Sequence, residues 1–155
     1  MHSYQYPRPA LTVDCLIFGE SPDNKTKKYL LLIQRKHDPF AGYWALPGGF
    51  VDENESPDDA ARRELEEETG VKSIDFQQLH TFGAPNRDPR GWTVSIAYTA
   101  TINMLDQQPQ AADDAAAAEW FDMEHLPENL AFDHADIIKM ATNNIPILHV
   151  PNTKK

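Results

Sequence analysis

The segment ESPDDAARRELEEETGV, at positions 55–71, constrains the fold more than any other part of the chain. Ser56 is a favourable N-cap, and Pro57 suits the first position of a helix. Gly70 accepts the left-handed backbone conformation that ends many helices. These signals predict one helix from about Pro57 to Thr69.

Segments rich in β-branched and aromatic residues lie on both sides of this helix and predict strands. They are residues 11–18, 29–34, 43–46, 74–82, 93–104 and 119–121. A polar hairpin connection joins the first two strands, and a Pro-Gly-Gly loop follows the third. A second helix is expected near residues 134–142 with Asp133 as its cap, and residues 107–118 are expected to form a loop. The interleaved order predicts an α/β (α+β) fold with one mixed sheet between helices.

Length and charge narrow the class of protein. A chain of 155 residues fits a single domain, residues 1–155, with a core of about 10–145 and short N- and C-terminal tails. The opening sequence has no basic and apolar leader, and the longest apolar run is too short to cross a bilayer, so we expect a cytoplasmic protein. The net charge of −10 argues against binding to a nucleic-acid backbone. This negative net charge is still compatible with a small anionic ligand, provided that bound cations or a local cluster of basic residues hold the ligand.

The acids on the predicted helix lie where local energetics oppose them. Glu64, Glu66, Glu67 and Glu68 occupy the C-terminal half, where the helix dipole favours cations. Glu64 and Glu68 form a like-charge pair four residues apart, and Arg63 alone cannot neutralise the group. A solvated polar face is one interpretation. A divalent cation is the other, and oxygen ligands without cysteine favour Mg²⁺ or Mn²⁺ over zinc.

The residues around these acids form a known pattern. Gly49 is followed by five residues, Glu55, seven residues and then RELEEETGV at positions 63–71. This resembles the Nudix box at every fixed position, and the order of strands around it is similar to the Nudix αβα sandwich. The resemblance implies that the enzyme splits a pyrophosphate bond with a metal-activated water.

The same resemblance implies a role for each residue of the box. Glu64, Glu67 and Glu68 are the expected metal ligands, together with the main-chain carbonyl of Gly49. Glu55 supports this group from the loop. Arg63 is expected to orient Glu64 or Glu67 through a charge-assisted hydrogen bond, and Leu65 and Val71 face the core.

The base that activates the water is expected to be Glu64 or Glu119. Glu119 directly precedes Trp120 and Phe121, in a segment similar to an acid-containing region of many Nudix relatives. A surface acid at the end of a strand is the alternative interpretation for Glu119.

A second resemblance concerns the substrate. The segment FGAPNRDPRGW, at positions 82–92, resembles the ADP-ribose pyrophosphatase group and the Nudix domains of regulators of NAD metabolism. Arg87 and Arg90 offer donors for phosphate or ribose oxygens, Trp92 offers a face for stacking, and Arg35 is a further donor. Pairing of Arg87 with its neighbour Asp88 inside the turn is the alternative.

Residues 130–138 are also similar to that group. His134 either lines the site or begins the helix without a catalytic duty.

These patterns together predict Mg²⁺- or Mn²⁺-dependent hydrolysis of ADP-ribose to AMP and ribose 5-phosphate. Two alternatives remain: a pyrophosphohydrolase acting on nucleoside triphosphates or dinucleoside polyphosphates, and a non-catalytic sensor of an ADP-ribose-like ligand. The complete set of acids argues against the sensor, as does the expectation that about a dozen residues after the last helix are too few for a DNA-binding domain. We expect a small-molecule substrate and, since Nudix relatives are often dimers, a homodimer.

Overall fold

The computed structural model describes residues 1–112 and 115–144. Across these residues the chain forms seven strands and two helices. The strands are β1 (Ala10–Ser21), β2 (Asn24–Arg35), β3 (Trp44–Ala45), β4 (Gly48–Phe50), β5 (Gln77–Phe82), β6 (Thr93–Asn103) and β7 (Ala115–Asp122). The helices are α1 (Pro57–Thr69) and α2 (His134–Asn144). None of the helices in this part of the chain has the length and hydrophobicity needed to cross a membrane.

The strands join in one mixed sheet with the order β3-β2-β1-β6-β5. β4 pairs with β1 and β7 pairs with β2 outside this main path. β1 and β6 run parallel in unbroken register from Ala10 opposite Thr93 to Glu20 opposite Asn103, and the other strand pairs are antiparallel.

One helix covers each face of the sheet, because the side chains of β1 alternate between two hydrophobic clusters. Val13, Cys15 and Ile17 pack with Leu65 of α1 on one face. Leu16 and Phe18 pack with Ile137 of α2 on the other face. The αβα arrangement predicted from the sequence is therefore confirmed.

The sheet divides between β1 and β2, and this division creates the cleft of the molecule. β1 pairs with β2 only near their shared turn, from Phe18 to Ser21. At its other end β1 pairs instead with β4, where Val13 lies opposite Gly49. β2 meanwhile continues toward β3 and β7. A gap opens between the two diverging pairs, and residues from both line it, including Asp14, Gly49 and Arg35.

The structure corrects three predictions about loops. The expected hairpin connection at residues 21–28 is mostly strand, because β1 and β2 extend until only a two-residue turn separates them. The expected Pro-Gly-Gly loop contains the strand β4. It pairs with β1, which is distant from it in the sequence, so local residues could not indicate this strand. β7 begins at Ala115, so the last part of the segment predicted as a loop is strand, held by β2.

Candidate active site

Helix α1 carries the acids and begins and ends where the sequence predicts. The Ser56 hydroxyl accepts a hydrogen bond from the Asp59 amide at 3.1 Å. Gly70 ends the helix with a φ of 74°, in the left-handed region. Leu65 is buried against the sheet, so the neighbouring positions Glu64 and Glu68 lie at the border of the buried face, where α1 meets β4.

Arg63 holds three glutamates at once. Its Nε and Nη2 donate to the two carboxylate oxygens of Glu55 at 2.7 and 2.8 Å. Its Nη1 donates to Glu64 at 2.8 Å and to Glu67 at 3.2 Å. A further bond from Nη2 reaches the carbonyl of Phe50 in β4. The hydrogen bonds from Arg63 lower the pKa of Glu55 to about 2, and those to Glu55 raise the pKa of Arg63.

Gly49 of β4 lies directly against the Glu64 carboxylate. A Cβ atom at position 49 would stand 2.6 Å from Cδ of Glu64, closer than any ordinary contact. A Cβ at the preceding Gly48 would stand 2.0 Å from the carbonyl oxygen of Val13. Both positions need glycine, but for different reasons: Gly49 makes room for a side chain of α1, and Gly48 makes room for the backbone of β1.

Of the three glutamates expected to bind the metal, Arg63 donates to Glu64 and Glu67, and Glu68 is the third. Its side chain is buried, and within the described part of the chain its Oε2 atom has no hydrogen-bond partner. Burial raises the pKa of Glu68 well above its ordinary value, and the hydrogen bond and charge of Glu64 raise it further. A buried carboxylate oxygen without a partner is costly. The vacant oxygen, the neighbouring Glu64 and the close approach of Gly49 suit a hard divalent cation.

Two arginines stand in the same cleft as these acids. The guanidinium of Arg35 lies 5.0 Å from the ring centre of Phe132, and that of Arg90 lies 4.9 Å from it. Arg90 also stacks on Phe50 at 4.6 Å. Burial, followed by the charge of Arg90, lowers the pKa of Arg35. Two cations that lie close enough to disfavour one another suit an anionic ligand with more than one charge.

Arg87 lines the cleft beside Asp14 but not the part beside Glu64 and Glu68, and its side chain binds Asp133 rather than Asp88, the partner that the alternative interpretation expected. Its side chain is only 5% exposed, and Nε and Nη2 donate to the two oxygens of Asp133 at 2.9 and 2.7 Å. Arg90 pairs with Asp88 instead, at 2.8 Å. Asp133 begins α2 through its main-chain carbonyl, which accepts from the Ile137 amide, while its carboxylate binds Arg87. The predicted side-chain cap at Asp133 is therefore wrong.

The structure does not bring Trp92 to the cleft. Its side chain is 56% exposed and lines a separate surface pocket with Pro85, Asn86 and Pro89. Because Gly83–Trp92 is a loop without regular pairing partners, its path could not be predicted from local sequence.

Glu119 also lies apart from the acids of α1. In the pairing of β2 with β7, Glu119 stands opposite Leu32, which packs in the cluster on the α2 face of the sheet. Residues directly opposite one another in an antiparallel pair share a face. Glu119 is therefore on the face away from α1, and the fold leaves Glu64 as the better placed of the two predicted bases.

A buried polar network beneath the cleft was missed at the sequence level. Asp14 of β1 lies 3.2 Å from Nε2 of His134 and is also bonded by the Ser95 hydroxyl. The Leu46 amide donates to Nδ1 of His134 at 3.0 Å, which places the ring proton on Nε2. Burial alone would raise the pKa of Asp14, but His134 and Ser95, with the charge of Arg87, lower it. The available signal was an acid inside the apolar run at 11–18.

Phe132 and Phe50 were also missed as parts of the site. Nothing in their local sequence indicates that two arginines stack on them, since the arginines come from β2 and from the loop after β5. Phe132 also has a φ of +51°, in the left-handed region that a bulky side chain rarely adopts.

Comparison with known proteins adds to this geometry. The family model described as NUDIX domain matches residues 8–141. An ADP-ribose pyrophosphatase from Methanocaldococcus jannaschii is 44% identical over 134 residues, which are 86% of this chain and 73% of that protein.

Two further relatives bear a regulatory description. The ADPR responsive transcriptional repressor NtrR of Acinetobacter baylyi is 41% identical over 139 residues, which are 88% of this chain, and this chain spans 54% of the repressor's length. The NUDIX domain of Shewanella oneidensis NrtR, solved in complex with ADP ribose, superimposes with a TM-score of 0.77 at 35% identity over 89% of each chain.

Proposed function

The chain belongs to the NUDIX domain family, and on this premise we propose that it is a metal-dependent pyrophosphohydrolase that splits ADP-ribose into AMP and ribose 5-phosphate. One observation carries the proposal. Glu64 and Glu68 share a single cleft with Arg35 and Arg90. Acids that suit a metal stand beside guanidinium groups that suit phosphate, which is the pairing that hydrolysis of a diphosphate requires.

We propose that Mg²⁺ or Mn²⁺ is held by Glu64, Glu67, Glu68 and the main-chain carbonyl of Gly49. The unpartnered oxygen of buried Glu68 and the clearance that Gly49 leaves for Glu64 support this assignment. When bound, a divalent ion neutralises charge on the diphosphate and lowers the pKa of the attacking water.

The protein's own side chains divide the remaining work. Arg63 fixes the carboxylates of Glu64 and Glu67, so that they converge although their charges repel. Glu64 is the proposed base that takes the proton of the water. Arg35 and Arg90 are proposed to neutralise the diphosphate oxygens by charge-assisted hydrogen bonds, which strengthen as negative charge develops.

A sensor of ADP-ribose is the second candidate, and the 41% identity to the transcriptional repressor is the observation that favours it. A sensor needs to bind its ligand but does not need to hold a cation and a water in reactive geometry. The complete set of Glu64, Glu67 and Glu68, of which Arg63 holds the first two, supports the enzyme over the sensor.

A panel of substrates with Mg²⁺ or Mn²⁺ separates the candidates. We expect ADP-ribose to yield AMP and ribose 5-phosphate, measured by ion-exchange chromatography, faster than ATP or a dinucleoside tetraphosphate yields products. Glu64→Gln should lose turnover, and Glu66→Gln is the matched control, because Glu66 is exposed on the same helix. If ATP is cleaved and ADP-ribose is not, the assignment of ADP-ribose as the substrate is wrong. Binding of ADP-ribose without turnover by the parent protein would establish the sensor.

The single-domain organisation, the cytoplasmic location and the homodimer stay predictions from the sequence.

A further inference from the structure

We propose that Arg87 is a positioning residue for the diphosphate site and does not touch the substrate. It acts through its buried ion pair with Asp133, which fixes Phe132 and thereby the two guanidinium groups that stack on its ring. The inference rests on the proposed function, since it assigns the diphosphate to Arg35 and Arg90.

The contacts of Arg87 leave little of the side chain for a ligand. Nε and Nη2 bind both oxygens of Asp133, and Nη1 donates to the Thr93 hydroxyl at 3.2 Å. Nη2 also lies 3.9 Å from Asp14. With 5% of the side chain exposed, the guanidinium is surrounded by two carboxylates and a hydroxyl. A substrate would have to break a desolvated, bidentate ion pair to reach it.

The ion pair holds a corner of the chain that is otherwise unfavourable. Phe132, immediately before Asp133, has a φ of +51°. A large side chain keeps such a conformation only where its surroundings impose it. Arg87 binds the carboxylate of Asp133, which follows Phe132. His134, the next residue, is held by hydrogen bonds with the Leu46 amide and Asp14.

The side-chain ring of Phe132 contacts both of the arginines in the cleft. Arg35 and Arg90 lie 5.0 and 4.9 Å from the centre of the Phe132 ring. Their charges repel, and the stacking of both on one ring helps to keep the two guanidinium groups in one cleft, beside the bonds of Arg35 to the Pro39 carbonyl and of Arg90 to Asp88.

Arg87 also acts on Arg90 along the chain. Its neighbour Asp88 is almost fully buried and accepts from Nη2 of Arg90 at 2.8 Å. Anchoring Arg87 therefore fixes the loop that presents Asp88, and with it the direction of the Arg90 side chain.

The first variant is Asp133→Asn, which removes the charge of the partner and changes its shape little. We expect the KM for ADP-ribose to rise about tenfold, as for the loss of one charge-assisted contact, with kcat within about twofold of the parent value. The matched control is Asp122→Asn. Asp122 lies at the end of β7, and the substitution removes its ion pair with Lys27 of β2 (3.2 Å).

A double-mutant cycle with Arg90→Ala distinguishes positioning from a general structural role. If Arg87 and Asp133 act through Arg35 and Arg90, Asp133→Asn should change KM by only about threefold in the Arg90→Ala background, because only the part that acts through Arg35 remains. The same cycle is measured by calorimetry as the Kd of methylenediphosphonate, which is not hydrolysed. Arg87→Lys is the second variant, to be used if Asp133→Asn fails to fold. It keeps the charge but loses the bidentate geometry, so we expect the same effects on KM.

Equal KM effects in the two backgrounds would overturn the proposal, as would a fall in kcat with KM unchanged. If the parent protein does not cleave ADP-ribose, the proposed substrate is wrong, and the coupling is then decided by methylenediphosphonate alone. A parent protein that binds no methylenediphosphonate would overturn the positioning role as well.

Discussion

We expect alanine substitution to have different effects at the two adjacent glycines of β4: loss of activity at Gly49 and loss of stability at Gly48. In Gly49→Ala the new Cβ meets the Glu64 carboxylate at 2.6 Å, and an ordinary contact begins at 3.4 Å, so the carboxylate must move by about 0.8 Å. The end of a flexible side chain can make this shift, at a cost of about 1 kcal/mol for a distorted rotamer. A displacement of this size in a catalytic group is expected to lower kcat by up to about 100-fold.

In Gly48→Ala the obstacle is backbone. The new Cβ would lie 2.0 Å from the carbonyl oxygen of Val13, which belongs to the central strand β1. Reaching 3.4 Å requires the two strands to separate by about 1.4 Å. Such overpacking is expected to cost about 3 kcal/mol or more. For a chain of this size that corresponds to a fall of roughly 6–12 °C in melting temperature.

The assay measures urea unfolding and the Mg²⁺-dependent kcat for ADP-ribose in both variants. We expect Gly49→Ala to fold and to be nearly inactive, and Gly48→Ala to be clearly destabilised. Full activity of Gly49→Ala would refute the placement of Glu64 at the reacting group. Equal destabilisation of the two variants would refute the distinction between a yielding side chain and a fixed backbone.

Three further substitutions test the acids of the site. Glu67→Gln should abolish turnover with little change in melting temperature, because this side chain is 45% exposed and keeps its shape; turnover equal to the parent would remove Glu67 from the site. Glu68→Gln should stabilise the metal-free protein by about 1 kcal/mol, because the amide can donate to the Glu64 carboxylate and removes the repulsion between the two acids, and the gain in melting temperature with Mg²⁺ should disappear; an unchanged response to Mg²⁺ would contradict it. The pKa of Glu55 falls from its ordinary 4.5 to about 2 in the folded protein, so its stabilising bond to Arg63 is complete above about pH 4.5 and is lost as the pH falls toward 2. Glu55→Gln should flatten the melting temperature in that window, whereas an unaltered slope would show that Glu55 is not responsible.

The part of the site that lies on α1 could be predicted because its determinants are local. The cap at Ser56, the stop at Gly70 and the spacing of the glutamates all lie within one helix, where positions three and four apart must be neighbours. Arg63 reaches both Glu64 and Glu67, as expected.

The other half of the site depends on contacts between distant segments, and the predictions there were less accurate. Arg87 pairs with Asp133, 46 residues away, and Asp14 meets Ser95, 81 residues away. No local pattern distinguishes these partners from nearer ones such as Asp88. Trp92 and Glu119 lie apart from the acids of α1, because the path of a loop and the face of an edge strand are decided by packing.

The sequence by itself therefore determined the helix, its acids and the family of the protein, since each follows from the order of residues along a short stretch of chain. Only the tertiary structure decided which arginines share the cleft with those acids. Two guanidinium groups of equal charge and size differ solely in what surrounds them: Arg90 is held at the cleft by Phe50 and Phe132, whereas Arg87 is enclosed by carboxylates. That difference arises where β1 and β2 diverge and where Phe132 and His134, at the start of α2, line the cleft. These segments are distant in the sequence, so no local pattern could predict it.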